Sequence, residues 1–155
     1  MKQSLPPVVR SVVVPLPPAD AFLLFTRDME EWWPLDTFSV AADSHGGALR
    51  ATGLVFEQRC GGRIAERLSD GSEAEWGRVL VWDPPSHVAF SWKPTLEAGP
   101  FTRVDVTFTE TSRGSRVELV HSGWAAHGAA AAGLRHGYSK GWVAVLDRFR
   151  AGACG

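Results

Sequence analysis

The sequence has little of several things, and each shortage closes off a class of function. Two cysteines occur, Cys60 beside Gly61-Gly62 and Cys154 near the far end, which is too few for a disulfide framework, and neither lies at metal-ligand spacing from a histidine. Both read as free thiols. Charge of one sign is missing as well: 16 basic and 17 acidic residues leave a formal net charge of −1, and no run of Lys and Arg forms a stripe for phosphates. Nucleic acid is not an expected partner. No apolar run approaches the roughly 20 residues that cross a bilayer, and Met1 to Pro7 lacks the apolar core of a signal peptide. No membrane association is expected, and a cytoplasmic location follows by default. His45, His87, His127 and His136 are scattered without His-x-x-x-His or carboxylate spacing, and Gly-x-Ser-x-Gly, phosphate-loop and Gly-x-Gly-x-x-Gly motifs are absent. The sequence therefore predicts no metal and no cofactor, and names no catalytic residue.

What is present is aromatic. Seven Trp and eight Phe stand against a single Tyr, and large flat side chains either fill a core or line a concave site for apolar and aromatic ligands. The stretch that organises them is Leu134 to Arg150. Leu134, Tyr138, Trp142, Val145, Leu146 and Phe149 recur at steps of three and four, the spacing of one helix face. Gly133, Gly137 and Gly141 either add a strip without side chains, where a neighbouring backbone, expected to be a sheet, approaches closely, or only mark a helix that starts after Gly137. Arg148 and Arg150 suit the last turn and Gly152 a stop.

At 155 residues the chain fits one domain, with a core from about residue 8 to 151. Val8 to Pro15 is a β-branched run bounded by prolines and reads as a strand. Pro17 to Thr26 follows as a short helix, and Asp28 to Trp33 continues it or begins a second one before Pro34. Leu35 to Ala51 shows no pattern and reads as a loop. Beyond it, turn signals at Cys60-Gly-Gly62, Asp70-Gly71, Asp83-Pro-Pro85, Lys93 to Pro100 and Arg113-Gly-Ser115 separate alternating segments, an antiparallel meander. The predicted class is α+β: a curved sheet of about seven strands wrapped around a long C-terminal helix, with two short helices after the first strand.

The order of Pro17-Pro-Ala-Asp-Ala-Phe22, Glu31-Trp-Trp33, Gly61-Gly-Arg63, Asp70-Gly71, Gly77-Arg-Val79, Asp83-Pro-Pro85, Phe90-Ser-Trp92, Glu118 to Trp124 and Gly141-Trp142 with Leu146-Asp-Arg148 resembles the branch of the START-like, or SRPBCC, superfamily that comprises homologues of the activator of heat-shock protein 90 ATPase. The resemblance covers about Val8 to Arg150. It implies the helix-grip fold, with a cavity between sheet and terminal helix, and brings no shared catalytic set.

The expected ligand is a small hydrophobic or aromatic molecule. The expected cavity residues are Trp32, Trp33, Phe56, Trp76, Phe90, Trp92, Phe108, His121, Trp124, Tyr138 and Trp142. His121 shares the inward phase of Val117 and Leu119, and either helps a ligand or satisfies a neighbour in the core. Glu57, Arg63, Glu66, Arg67, Glu73, Glu75 and Arg78 belong on a solvent face, although Glu57 or Arg78 could turn inward. Two alternatives to a binding role stay open: a polyketide cyclase-type enzyme using His121, and a co-chaperone-like interaction protein. Exposed sheet edges would permit a homodimer.

Overall fold

The computed structural model describes residues 5–43, 49–95 and 99–155. Strand β1 (Val8–Val14) leads into helix α1 (Pro18–Phe25), which starts on a proline at its first position, where no backbone N–H is needed. A 3-10 turn at Met29–Glu31 and a short helix α2 (Val40–Asp43) follow. Then come strands β2 (Ala51–Phe56), β3 (Arg63–Leu68), β4 (Glu73–Asp83), β5 (His87–Trp92), β6 (Thr102–Thr111) and β7 (Gly114–Ser122). Helix α3 (Ala131–Cys154) closes the chain after a 3-10 segment at Trp124–Ala130. The class is α+β, and the curled seven-stranded sheet with its long C-terminal helix is the helix-grip arrangement.

All strand pairs are antiparallel in the order β1-β7-β6-β5-β4-β3-β2. The meander is therefore sequential except that β1 pairs with β7, Val8 opposite His121 and Val14 opposite Ser115. Register shifts between Ile64 and Ala65 and between Val79 and Val81 mark irregularities on both sides of β4, and such bulges bend a sheet more sharply than twist alone. Gly77 sits at this bend, where a Cβ would collide with the Ser91 carbonyl oxygen. Only glycine lets the two backbones pass.

The concave face of the sheet, α1 and α3 share one core, in which Phe22, Phe25, Val106, Phe108, Leu119, Leu146 and Phe149 are buried. The helix face expected from the sequence is confirmed in its second half, where Trp142, Val145, Leu146 and Phe149 are buried, but Leu134 is 37 % exposed and Tyr138 only partly covered. The glycine strip is corrected. Cβ atoms at Gly133 and Gly137 would meet nothing within 4 Å, and at Gly141 only the Phe38 ring, at 3.6 Å. Nor does Gly152 end the helix, which runs on to Cys154. Its Cβ position lies 3.1 Å from Trp32 Cβ, so the close approach is there. The patternless stretch from Leu35 to Ala51 contains α2, whose Ala42 N–H donates to Ser39 Oγ at 3.0 Å, an N-cap contact. His45 lies outside the described residues.

Candidate functional site

Ten of the eleven expected cavity residues are buried, the exception being the half-buried Tyr138. Their elements explain why they converge. Alternation on β4 and β5 turns Trp76, Phe90 and Trp92 to the concave face, the period of α3 brings Trp142 down onto it, and Trp32 and Trp33 enter from the stretch before Pro34. Trp33 is the hub: its ring centroid lies 5.3 Å from that of Trp76, 5.7 Å from Trp92, 6.0 Å from Trp142 and 5.8 Å from Trp32. Trp92 also meets Trp76 at 5.5 Å, Phe90 at 5.3 Å and Trp142 at 5.6 Å. All of these pairs are edge-on or tilted, the arrangement that ring quadrupoles favour. These rings touch one another across the space between sheet and helix. Phe56 joins the layer through Phe90 at 5.9 Å, whereas Phe108 packs under α1 against Phe22 and Phe25, away from Trp33.

A second group gathers at His121, with Trp124 at 4.3 Å and Tyr138 at 4.7 Å between ring centroids. Trp142 Nε1–H donates to His121 Nδ1 at 2.9 Å. An indole nitrogen can only donate, so Nδ1 carries no proton and the neutral ring bears its hydrogen on Nε2. That hydrogen goes to Thr102 Oγ1 at 2.6 Å, and the Thr102 hydroxyl in turn donates to the Trp92 carbonyl oxygen at 3.1 Å. Four elements, β5, β6, β7 and α3, are joined by this chain of bonds. Burial, and secondarily the charge of His127, lower the His121 pKa from 6.5 to about 3. With both nitrogens occupied and the ring neutral, His121 is a linker within the core and offers no free position for proton transfer.

The buried carboxylate of the site is one that the sequence reading assigned to solvent. Glu66 is fully buried. Its Oε1 accepts from Val40 N at 2.7 Å and from Trp76 Nε1 at 3.0 Å, and its Oε2 from Ala41 N at 3.0 Å. It thus caps the amino end of α2 and fixes the Trp76 ring in one step. The signal was present: Glu66 alternates in phase with Ile64 and Leu68, both buried. Glu57 and Arg78 stay near the surface. Glu57 accepts from Arg63 N at 2.7 Å, the main cause of its lowered pKa, and Arg78 pairs with Glu75 at 3.0 Å.

Most indole N–H groups of the chain end on an acceptor. Trp32 Nε1 reaches the Leu24 carbonyl and Trp33 Nε1 the Phe38 carbonyl, each at 2.7 Å, and Trp124 Nε1 reaches the His121 carbonyl at 3.1 Å. Trp76 and Trp142 have the partners given above. Trp92 does not: among the described residues its Nε1 is the one buried side-chain nitrogen or oxygen without a hydrogen-bond partner. Among the same residues no three of His, Cys, Asp and Glu come close enough to hold a metal ion, and no helix is long and apolar enough to cross a membrane.

Residues 15–152 match the sequence profile of the family described as Activator of Hsp90 ATPase homolog 1-like protein. The chain belongs to this family. No curated protein matches its sequence. Among solved structures, a Mesorhizobium loti protein is 18 % identical with a TM-score of 0.67, each chain covered to 94 %; the likeness is one of fold. The anthrahydroquino-gamma-pyrone synthase Txn09 is 30 % identical with a TM-score of 0.58, and the match covers 97 % of this family member and 99 % of that chain. DynU16, a protein of the dynemicin biosynthetic locus, is 18 % identical with a TM-score of 0.62 over 95 % of this chain and 46 % of its own.

Proposed function

We propose that this family member binds a planar, polycyclic aromatic small molecule in the ring layer between its sheet and its terminal helix. The observation that carries the reading is the near full-length, 30 % identity to Txn09, whose name specifies a fused aromatic pyrone. The local chemistry supports it. Tilted and edge-on indoles around Trp33 offer apolar surface to a flat guest, and a guest enters by parting rings that already meet. Trp33 is the ring best placed to give way. Trp76 and Trp92 are fixed on hydrogen-bonded strands and Trp142 on a 24-residue helix, whereas Trp33 rides on the irregular stretch between a three-residue 3-10 turn and α2. Its backbone is held by local turn bonds, Trp33 N to the Met29 carbonyl and Leu35 N to the Trp33 carbonyl, each at 2.9 Å, and such short-range turns open at lower free energy than a continuous ladder.

A titration of the protein with xanthone, anthraquinone and flavone, read by Trp fluorescence and by the shift in melting temperature, tests the reading. Quenching with micromolar midpoints and a raised melting temperature are expected, because a ligand held only by the folded state stabilises it. Flat fluorescence and an unmoved melting temperature for all three would refute it.

A ring-closing enzyme is the second reading, favoured by the word synthase in the name of that same relative. His121 is a poor candidate for its acid or base, since its nitrogens are committed to Trp142 and Thr102. Turnover of a linear polyketide surrogate that survives His121→Gln would support an enzyme working through other groups.

A further inference from the structure

The buried and unpartnered indole nitrogen of Trp92 has a use if a guest supplies the acceptor. We infer that Trp92 Nε1–H donates to a carbonyl oxygen on the central ring of the bound molecule and so sets its orientation, selecting oxygenated polycycles such as γ-pyrones and quinones over plain hydrocarbons. The inference rests on the binding role proposed above and names the atom that confers specificity within it.

Four observations converge on this nitrogen. Trp92 is 2 % exposed, so water at the protein surface does not satisfy its N–H. It sits in the middle of the ring layer, with Trp33, Trp76, Phe90 and Trp142 around it at centroid distances of 5.3 to 5.7 Å. Its neighbours in the layer are handled differently: the N–H groups of Trp33, Trp76 and Trp142 are each consumed by a protein acceptor. Finally, phenylalanine is accommodated in the same layer at Phe56 and Phe90, so packing alone does not require an indole. A buried donor left unpaired is a standing cost in the ligand-free protein, and a ligand that brings an acceptor recovers it on binding. A ligand without one leaves the cost in place. The preference is therefore worth one recovered hydrogen bond, gained by the right ligand and simply not gained by the wrong one. The competing destination for the N–H is the face of a neighbouring ring, a weak contact that would serve the ligand-free core and no guest.

Xanthone and xanthene separate these outcomes, because the two share a tricyclic frame and differ in a central C=O against CH2. The wild-type protein is expected to bind xanthone about tenfold more tightly than xanthene, the size of one buried hydrogen bond, and Trp92→Phe to abolish that preference by weakening xanthone alone. The Trp92 indole proton, assigned through bonds in the 15N-labelled wild-type protein, is expected to lie further downfield with xanthone than with xanthene, the difference a hydrogen bond adds to the ring-current shift both guests cause. This second readout holds even if Trp92→Phe does not fold. Equal affinity for both compounds with the same Trp92 proton shift overturns the inference and leaves the binding role intact. Binding of neither compound overturns the binding role, and this inference with it. Trp92→Phe that lowers the melting temperature of the ligand-free protein while preserving the preference assigns the N–H to a neighbouring ring and also overturns the inference.

Discussion

Acidification of the His121 linkage gives the sharpest test of the core. The folded protein holds His121 at a pKa of about 3 against 6.5 for a free histidine, so between those values the unfolded chain takes up a proton that the folded chain refuses. The stability is complete above about pH 6.5 and is lost progressively as pH falls toward 3, at about 1.4 kcal/mol per pH unit in the linear part. Between pH 7.5 and pH 5.0 the expected loss from this one group is about 2 kcal/mol. Other groups titrate over the same range, so the measurement is a difference: urea unfolding at both pH values for the wild type and for His121→Gln. Glutamine offers an acceptor for Trp142 Nε1 and a donor for Thr102 Oγ1 but has no proton to gain in this range. The wild type should lose about 2 kcal/mol more than the variant between the two conditions. If the two proteins lose stability in parallel, His121 is not held neutral and the tautomer derived from Trp142 is wrong.

Other substitutions follow from contacts of the same kind. Glu66→Gln turns an amide NH2 toward backbone or indole donors at Val40, Ala41 or Trp76 and should cost about 2 kcal/mol, read as a drop of roughly 4 to 8 °C in melting temperature. Gly77→Ala drives a methyl group into the Ser91 carbonyl and should cost about 3 kcal/mol or more, or leave the protein insoluble. Gly137→Ala, in open space inside α3, should instead raise stability by about 0.5 to 1 kcal/mol in urea unfolding. Arg10→Ala removes the bonds from β1 to Ser139 on α3, Nη2 to Oγ at 2.5 Å and Nε to the carbonyl at 3.3 Å, and should cost about 1 kcal/mol in the same assay.

The strands could be read from the sequence because their turns are written in local chemistry. Asp70-Gly71 and Cys60-Gly-Gly62 bound β3, which runs between those two turn signals at Arg63–Leu68. The terminal helix was visible for a similar reason, its apolar period of three and four, although which half of that face is covered depends on how far the curled sheet reaches. What could not be read depends on residues distant in sequence. Glu66 looked like a surface charge because its donors at Val40 and Ala41 come from 26 and 25 residues earlier, inside a stretch with no periodic pattern at all. His121 could be placed on an inward face by alternation, but its neutrality follows from Trp142, 21 residues away. The glycines misled in an instructive way: spacing suggested Gly133, Gly137 and Gly141 as points of close approach, and the side chain of Trp32 comes close at Gly152 instead.

The pairing of β1 with β7 carries a consequence for biosynthesis. Val8 leaves the ribosome well before its partner across the β1–β7 pair, His121, which is made more than a hundred residues later, and α3 is made later still. Until then the nascent meander has an open edge and an uncovered apolar face, the kind of surface that holdase chaperones retain. A truncation at Ser122 should therefore remain aggregation-prone however well its own hairpins form.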